Sequence, residues 1–278
     1  MFIRPAARQS RAAAWIIRGI TPPRNPVVNF PALKLLRVAV HVLAGSLTVL
    51  TLFPRLDRAA RARRVGLWSA KLLAILAVEV EVEGDPDAAH RAGALLVANH
   101  VSWMDIYVIF SVARTRFISK AEVRGWPVIG WLAEAAGTLF LTREKKSDAM
   151  RLNRMMATHL REGDCLTLFP EGTTSDGGEL LPFYPSLFQP AVDAEAQVWP
   201  VRIRYLTPDG ARCREAAYHG DMSLVESLLR IARLKAVRVE VDFLPPISSK
   251  GMRRRELAAA AEAAIREGFA PSSGLLPK

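Results

Sequence analysis

His100 and Asp105 bring an imidazole and a carboxylate within five residues of each other in the stretch Asn99-His100-Val101-Ser102-Trp103-Met104-Asp105. On one continuous helix two side chains five apart would diverge by about 140° at 3.6 residues per turn. The preceding run Ala94-Leu95-Leu96-Val97-Ala98 is short and wholly apolar, which reads as a buried strand, and Ser102 with Asp105 three residues on has the form of an N-cap and an acidic first turn. His100 is therefore expected in a strand-to-helix turn. There the Asp105 carboxylate can accept a hydrogen bond from one ring nitrogen and leave the other to take a proton from a hydroxyl, which is oriented general-base chemistry. A plain helix cap beside an ordinary turn histidine satisfies the same short pattern, so these residues do not decide alone.

A second stretch repeats the arrangement. Phe169-Pro170-Glu171-Gly172-Thr173-Thr174-Ser175 follows the strand candidate Cys165-Leu166-Thr167-Leu168-Phe169 and again puts polar groups at a strand's carboxyl end, where α/β sheets build their crevices.

Taken in order, Asn99-His100 with Asp105, Gly137-Thr138-Leu139-Phe140-Leu141-Thr142-Arg143, Phe169-Pro170-Glu171-Gly172-Thr173 and Val198-Trp199-Pro200-Val201 resemble the four motifs of the glycerolipid acyltransferases, the lysophosphatidic acid acyltransferase family. The resemblance covers residues 80 to 205, and the ordered set is far more specific than any one motif. It implies transfer of a fatty acyl group from an acyl-carrier-protein or coenzyme A thioester to the free hydroxyl of a lysolipid, first of all 1-acyl-glycerol-3-phosphate to give phosphatidate. It also implies that His100 is the base, that Asp105 orients it, and that Arg143, Glu171, Gly172, Thr173 and Thr174 hold the acceptor, with no bound cofactor and no metal. One departure bears on the acceptor. The family usually continues Glu-Gly-Thr with Arg, whereas Thr174 stands here. A hydroxyl cannot replace the bidentate fork that Arg offers a phosphate, and the related branch that acylates lyso-ornithine lipid is the alternative.

Other chemistries lack their residues. There is no Gly-x-Ser-x-Gly elbow and no His-Glu-x-x-His pair, and Gly125 to Trp131 has the glycine spacing of half a phosphate loop with Trp131-Leu132 where Lys and Ser or Thr would be needed. No nucleophile adjoins His100, so direct transfer without an acyl-enzyme is expected. The net charge of +11 predicts attraction to anionic surfaces: lipid headgroups, an acidic carrier protein, coenzyme A phosphates or nucleic acid. No nucleic-acid motif is present; the reading from another class is a non-enzymatic basic membrane- or nucleic-acid-binding protein. Cys165 and Cys213 make no disulfide framework, fit a reducing compartment and read as packing residues.

The elements that must position these groups divide the chain in two. Residues 1–78 read as a basic leader with membrane-associated helices, and 79–278 as the acyltransferase domain. Met1 to Arg55 has no Asp or Glu and eight Lys or Arg, with no segment suited to a secretory signal. The apolar segment Pro31 to Phe53 is interrupted by Lys34, Arg37 and His41, so a full span would need both cations to snorkel. Arg-rich sequence lies on both sides of it, and with the second apolar stretch Val65 to Val78 this favours a helical pair in one leaflet on the cytoplasmic face of the membrane. From Val78 on, strands alternate with helices, giving a mixed α/β sheet flanked by helices. Expected strands are Val78–Gly84, Ala94–Ala98, Thr115–Ser119, Gly137–Leu141, Cys165–Phe169, Val198–Tyr205 and Val237–Leu244; expected helices start at Ser102, Ser147, Ser186, Ser223 and Arg253. Trp126 and Trp131 flank a Pro in an apolar loop that either dips into the membrane interface or packs inward.

Overall fold

The computed structural model describes residues 30–91, 93–141 and 146–269. Helices α1 (Pro31–Thr51) and α2 (Arg58–Ile75) lead the chain. They are followed by β1 (Val78–Glu83), α3 (Pro86–Arg91), β2 (Leu95–Ala98), α4 (Met104–Val112), β3 (Arg116–Lys120), α5 (Ala121–Arg124), α6 (Ile129–Ala135) and β4 (Leu139–Leu141). The remainder comprises α7 (Lys146–Arg161), β5 (Leu166–Leu168), α8 (Gln189–Ala194), β6 (Gln197–Leu206), α9 (Leu224–Arg233), β7 (Val237–Phe243), β8 (Ile247–Ser248) and α10 (Arg254–Arg266).

The strands form one sheet in the order β1-β7-β6-β2-β5-β3-β4, with β8 on β6. Strands β6, β2, β5, β3 and β4 run parallel, and β6 meets β7 antiparallel. The carboxyl ends of five strands therefore share one edge. Strand β2 is buried on both faces, as an unbroken apolar run should be in a parallel sheet. Its alternation sends Leu96 and Ala98 into the layer with Leu72 and Leu73 of α2, Met104 and Val108 of α4 and Ile231 of α9, while Leu95 and Val97 join Met156 of α7, Phe188 and Leu257 of α10.

Helix α1 is turned inside out. Its buried residues are Lys34, His41 and Gly45, while Leu36, Val40, Leu43, Leu47 and Leu50 are each more than half exposed. Lys34 does not snorkel: its ammonium donates to the carbonyl of Leu234 at the end of α9, at 2.6 Å. His41 stacks on Trp68 of α2 at 4.6 Å, and the Trp68 indole N–H donates to the His41 carbonyl at 3.2 Å. The Arg-rich run that follows α1 is itself helical, because the Asp57 carboxylate caps α2 by accepting from the Ala60 N–H at 2.7 Å.

The residues after Asp85 coil into α3, with the Asp85 carboxylate accepting from the Ala88 N–H at 3.0 Å. Two local expectations change. The helix expected from Ser186 splits into a 3₁₀ turn, Pro185–Phe188, and the short α8, which stops where Glu195 adopts φ +49°. Ser102 does not cap α4, as the site shows.

Candidate active site

Strand β2 ends because Asn99 replaces a backbone pairing with a side chain. The ladder to β6 stops at Ala98 opposite Val201. Beyond it the buried Asn99 amide donates to the Ile203 carbonyl at 2.9 Å and accepts from the Ile203 N–H at 2.7 Å. The side chain satisfies β6 as a peptide would, and the main chain is free to turn off the sheet at His100.

Within that turn Asp105 folds back over the residues before it. Its Oδ2 accepts from His100 Nδ1 at 2.8 Å, from the Val101 N–H at 2.7 Å and from the Ser102 N–H at 2.9 Å, while Oδ1 accepts from the Tyr205 hydroxyl at 2.7 Å. The carboxylate thus does the capping assigned to Ser102, whose hydroxyl is buried and without a partner among the described residues. Burial first, and the Asp105 charge second, hold the Tyr205 phenol well above its ordinary value of 10, so it stays a donor. With Nδ1 donating to Asp105, the neutral ring carries its lone pair on Nε2, which bonds no group among the described residues. The His100 ring also lies flat on Phe169, 3.8 Å between centroids and 6° from parallel.

The loop after β5 clamps the histidine from the other side. Glu171 Oε1 accepts from the His100 N–H at 2.6 Å and Oε2 from the Leu181 N–H at 2.8 Å, while the Ser175 N–H donates to the His100 carbonyl at 2.8 Å. Both ends of the His100 peptide are therefore fixed by this loop. Gly172 turns it at φ +70°, and a Cβ there would come within 3.0 Å of the Tyr184 ring. Thr173 points to solvent, and half-buried Thr174 lines a cleft of about 800 Å³ together with Val101, Arg204, Arg212 and His219. Arg143 lies outside the described residues. Lys120, exposed at the carboxyl end of β3, supplies a cation on the same sheet edge.

Burial pushes the Glu171 carboxyl up to about 7, against the pull of its two N–H donors. A raised carboxyl pKa means that the contribution to stability is full below its ordinary 4.5 and is lost as pH rises through about 7. In Glu171→Gln the amide NH₂ must face one of two N–H donors, which costs on the order of 1–3 kcal/mol. Thermal unfolding should show the variant less stable, with a deficit that narrows from pH 5 to pH 8; a deficit independent of pH would contradict this.

Asn99, Tyr205 and Phe169 are missed by reading the sequence for reactive groups. Only Asn99 carries a local signal, a polar amide ending a buried strand.

The sheet presents a histidine and carboxylate pair at the carboxyl ends of its parallel strands, where α/β sheets build their ligand crevices. A family model described as Acyltransferase matches residues 79–204. The lyso-ornithine lipid O-acyltransferase of Pseudomonas aeruginosa is 43% identical over 206 residues, covering 74% of this chain and 78% of the relative. The 1-acyl-sn-glycerol-3-phosphate acyltransferase of Neisseria gonorrhoeae is 40% identical over 185 residues, 66% of this chain and 72% of its own length. The crystal structure of the 1-acyl-sn-glycerophosphate (LPA) acyltransferase PlsC from Thermotoga maritima has the same fold, with TM-score 0.63 at 22% identity over 90% of this chain and 100% of that one. The chain belongs to the acyltransferase family, and it is an O-acyltransferase.

Proposed function

We propose that the protein acylates a lysolipid hydroxyl at the membrane, with His100 as general base and Asp105 as its orienting partner. The observation that carries this reading is the 2.8 Å bond from His100 Nδ1 to a buried carboxylate, which leaves Nε2 without a partner among the described residues. The acceptor O–H gives its proton to Nε2 as its oxygen attacks the thioester carbonyl carbon. The C–S bond then breaks, and the leaving sulfur takes the proton back from the imidazolium, so acyl chain, proton and thiol all balance. An acyl-carrier protein or coenzyme A carries the donor acyl group, and the +11 charge suits either.

The acceptor proposed first is 1-acyl-glycerol-3-phosphate, with Arg143 beside the Glu171-Gly172-Thr173-Thr174 turn to receive it. Lyso-ornithine lipid is the second reading, favoured by Thr174 at the position where the family carries Arg and by the relative from Pseudomonas. A charge-assisted hydrogen bond contributes about 1.5–3 kcal/mol. Thr174→Arg should therefore raise use of lysophosphatidic acid over lyso-ornithine lipid about tenfold or more, measured as the ratio of kcat/KM values on the two acceptors. An unchanged ratio would remove Thr174 from headgroup choice.

Membrane attachment is assigned to residues 1–78 and the chemistry to 79–278, with Leu72 and Leu73 of α2 and Leu76 just beyond it in a shared core. The segment Pro31–Arg55 is long and apolar enough to cross a bilayer, and little of it is buried in the protein. Its polar face is turned inward and its apolar face outward, which suits a helix lying in the interface with the Arg-rich start of α2 among cytoplasmic anionic headgroups. Because α2 shares the core, the test is substitution rather than truncation. Leu36→Asp/Leu43→Asp/Leu47→Asp should release the folded full chain from anionic liposomes at moderate salt, and undiminished sedimentation would overturn the assignment.

A further inference from the structure

The turn between α5 and α6 exposes Trp126 at 43%, Val128 at 49% and Trp131 at 37%, three large apolar side chains within six residues. Nothing about the backbone here is relaxed. Val128 has φ +63° and ψ −51°, and the Ile129 N–H reaches back to the Pro127 carbonyl at 2.6 Å, which makes a left-handed γ-turn centred on a β-branched residue. Such a turn is rare and strained, and for a branched side chain positive φ is a genuine outlier. Gly130 is required directly after it, since a Cβ would meet the Arg124 carbonyl oxygen. Arg124 is paired with Glu134 at 2.6 Å, closing the base of the turn. The chain thus adopts a costly shape at a tip where two indoles and a valine stay partly exposed, and strain of this kind collects at functional surfaces.

We infer that this turn is a second lipid-contacting element, a wedge that enters the bilayer interface at the mouth of the crevice; the inference rests on the membrane reading of α1 given above. Three observations identify the occupant as a lipid surface. Helix α6, which the turn leads into, touches α1, the helix that carries the outward apolar face. Exposed indoles beside the charged residues Lys120, Glu122, Arg124 and Glu134 match the acyl-headgroup boundary of a membrane. And α5 begins at Ala121, directly after the carboxyl end of β3, so a tip seated in the interface sets the His100 edge of the sheet beside the lipid from which an acceptor would enter.

The test uses the full chain on phosphatidylcholine–phosphatidylglycerol vesicles containing phospholipid brominated at shallow acyl positions. Bromine should quench part of the tryptophan emission of the bound protein, and that part should vanish in Trp126→Phe/Trp131→Phe. Trp126→Asp/Trp131→Asp should weaken vesicle binding by about tenfold or more and slow acylation of vesicle-borne lysolipid, with the rate on dispersed monomeric lysolipid unchanged. Identical quenching in wild type and the Phe pair would overturn the proposal. So would an Asp pair that binds vesicles normally but shows a raised KM for a carrier-protein donor, since the turn would then dock the carrier. The α1 triple Asp variant reads the anchoring assignment separately: its failure to release the protein, with Trp126 and Trp131 still quenched, would overturn α1 and leave the turn standing.

Discussion

His100→Ala is expected to abolish measurable turnover while leaving a folded protein. A positioned general base supplies on the order of 10²–10⁴-fold, and none of the other histidines, His41, His90, His159 and His219, bonds Asp105. The fold should survive because removal of the ring leaves Asp105 with three other donors. The backbone clamp from Glu171 and Ser175 uses main-chain atoms of residue 100, which alanine retains. Kinetics with an acyl thioester and a lysolipid, alongside a melting curve, check both halves. Substantial activity in the folded variant would take His100 out of the mechanism.

Asp105→Asn is the second large effect, and the hydrogen bonds explain why it should separate chemistry from folding. With its oxygen in the place of Oδ2, the amide still accepts from His100 Nδ1, Val101 and Ser102, and its NH₂ can donate to the Tyr205 oxygen once that hydroxyl rotates. The buried Tyr205 O–H then loses its acceptor, so a modest cost to stability accompanies the change. The lost charge is the one that stabilises the imidazolium formed during attack, so kcat should fall nearly as far as in His100→Ala, with a small change in melting temperature. Asp105→Ala, by contrast, strands two backbone N–H groups and a buried phenol, and should lower the melting temperature as well. Near-normal kcat in the Asn variant would reduce Asp105 to a helix cap.

The parts of this site legible in the sequence are those made by neighbours in the chain. An unbroken apolar run ending in Asn-His announces a buried strand and a turn, and α4 does begin within that turn. The partners supplied by β6 were not legible, because Ile203 and Tyr205 stand 104 and 100 residues from the side chains they bond. Nothing local states that β6 lies beside β2 while β5, β3 and β4 fill the other side. The order of strands settles which groups converge. Glu171 illustrates the difference: its motif places it in the crevice, whereas its engagement by two main-chain N–H groups depends on how the loop closes on His100 and Leu181. The N-terminal segment reads correctly as apolar and free of acid, but the inward turn of Lys34 depends on α9, whose last carbonyl it caps.

Thiol release from an acyl thioester by the purified wild-type chain, followed with and without lysolipid in anionic vesicles, tests direct His100-assisted transfer most directly. Release is expected only when lysolipid is present, with one thiol for each ester formed and an intact protein mass unchanged by donor alone. Thiol release without acceptor, accompanied by a protein heavier by one acyl chain, would contradict it.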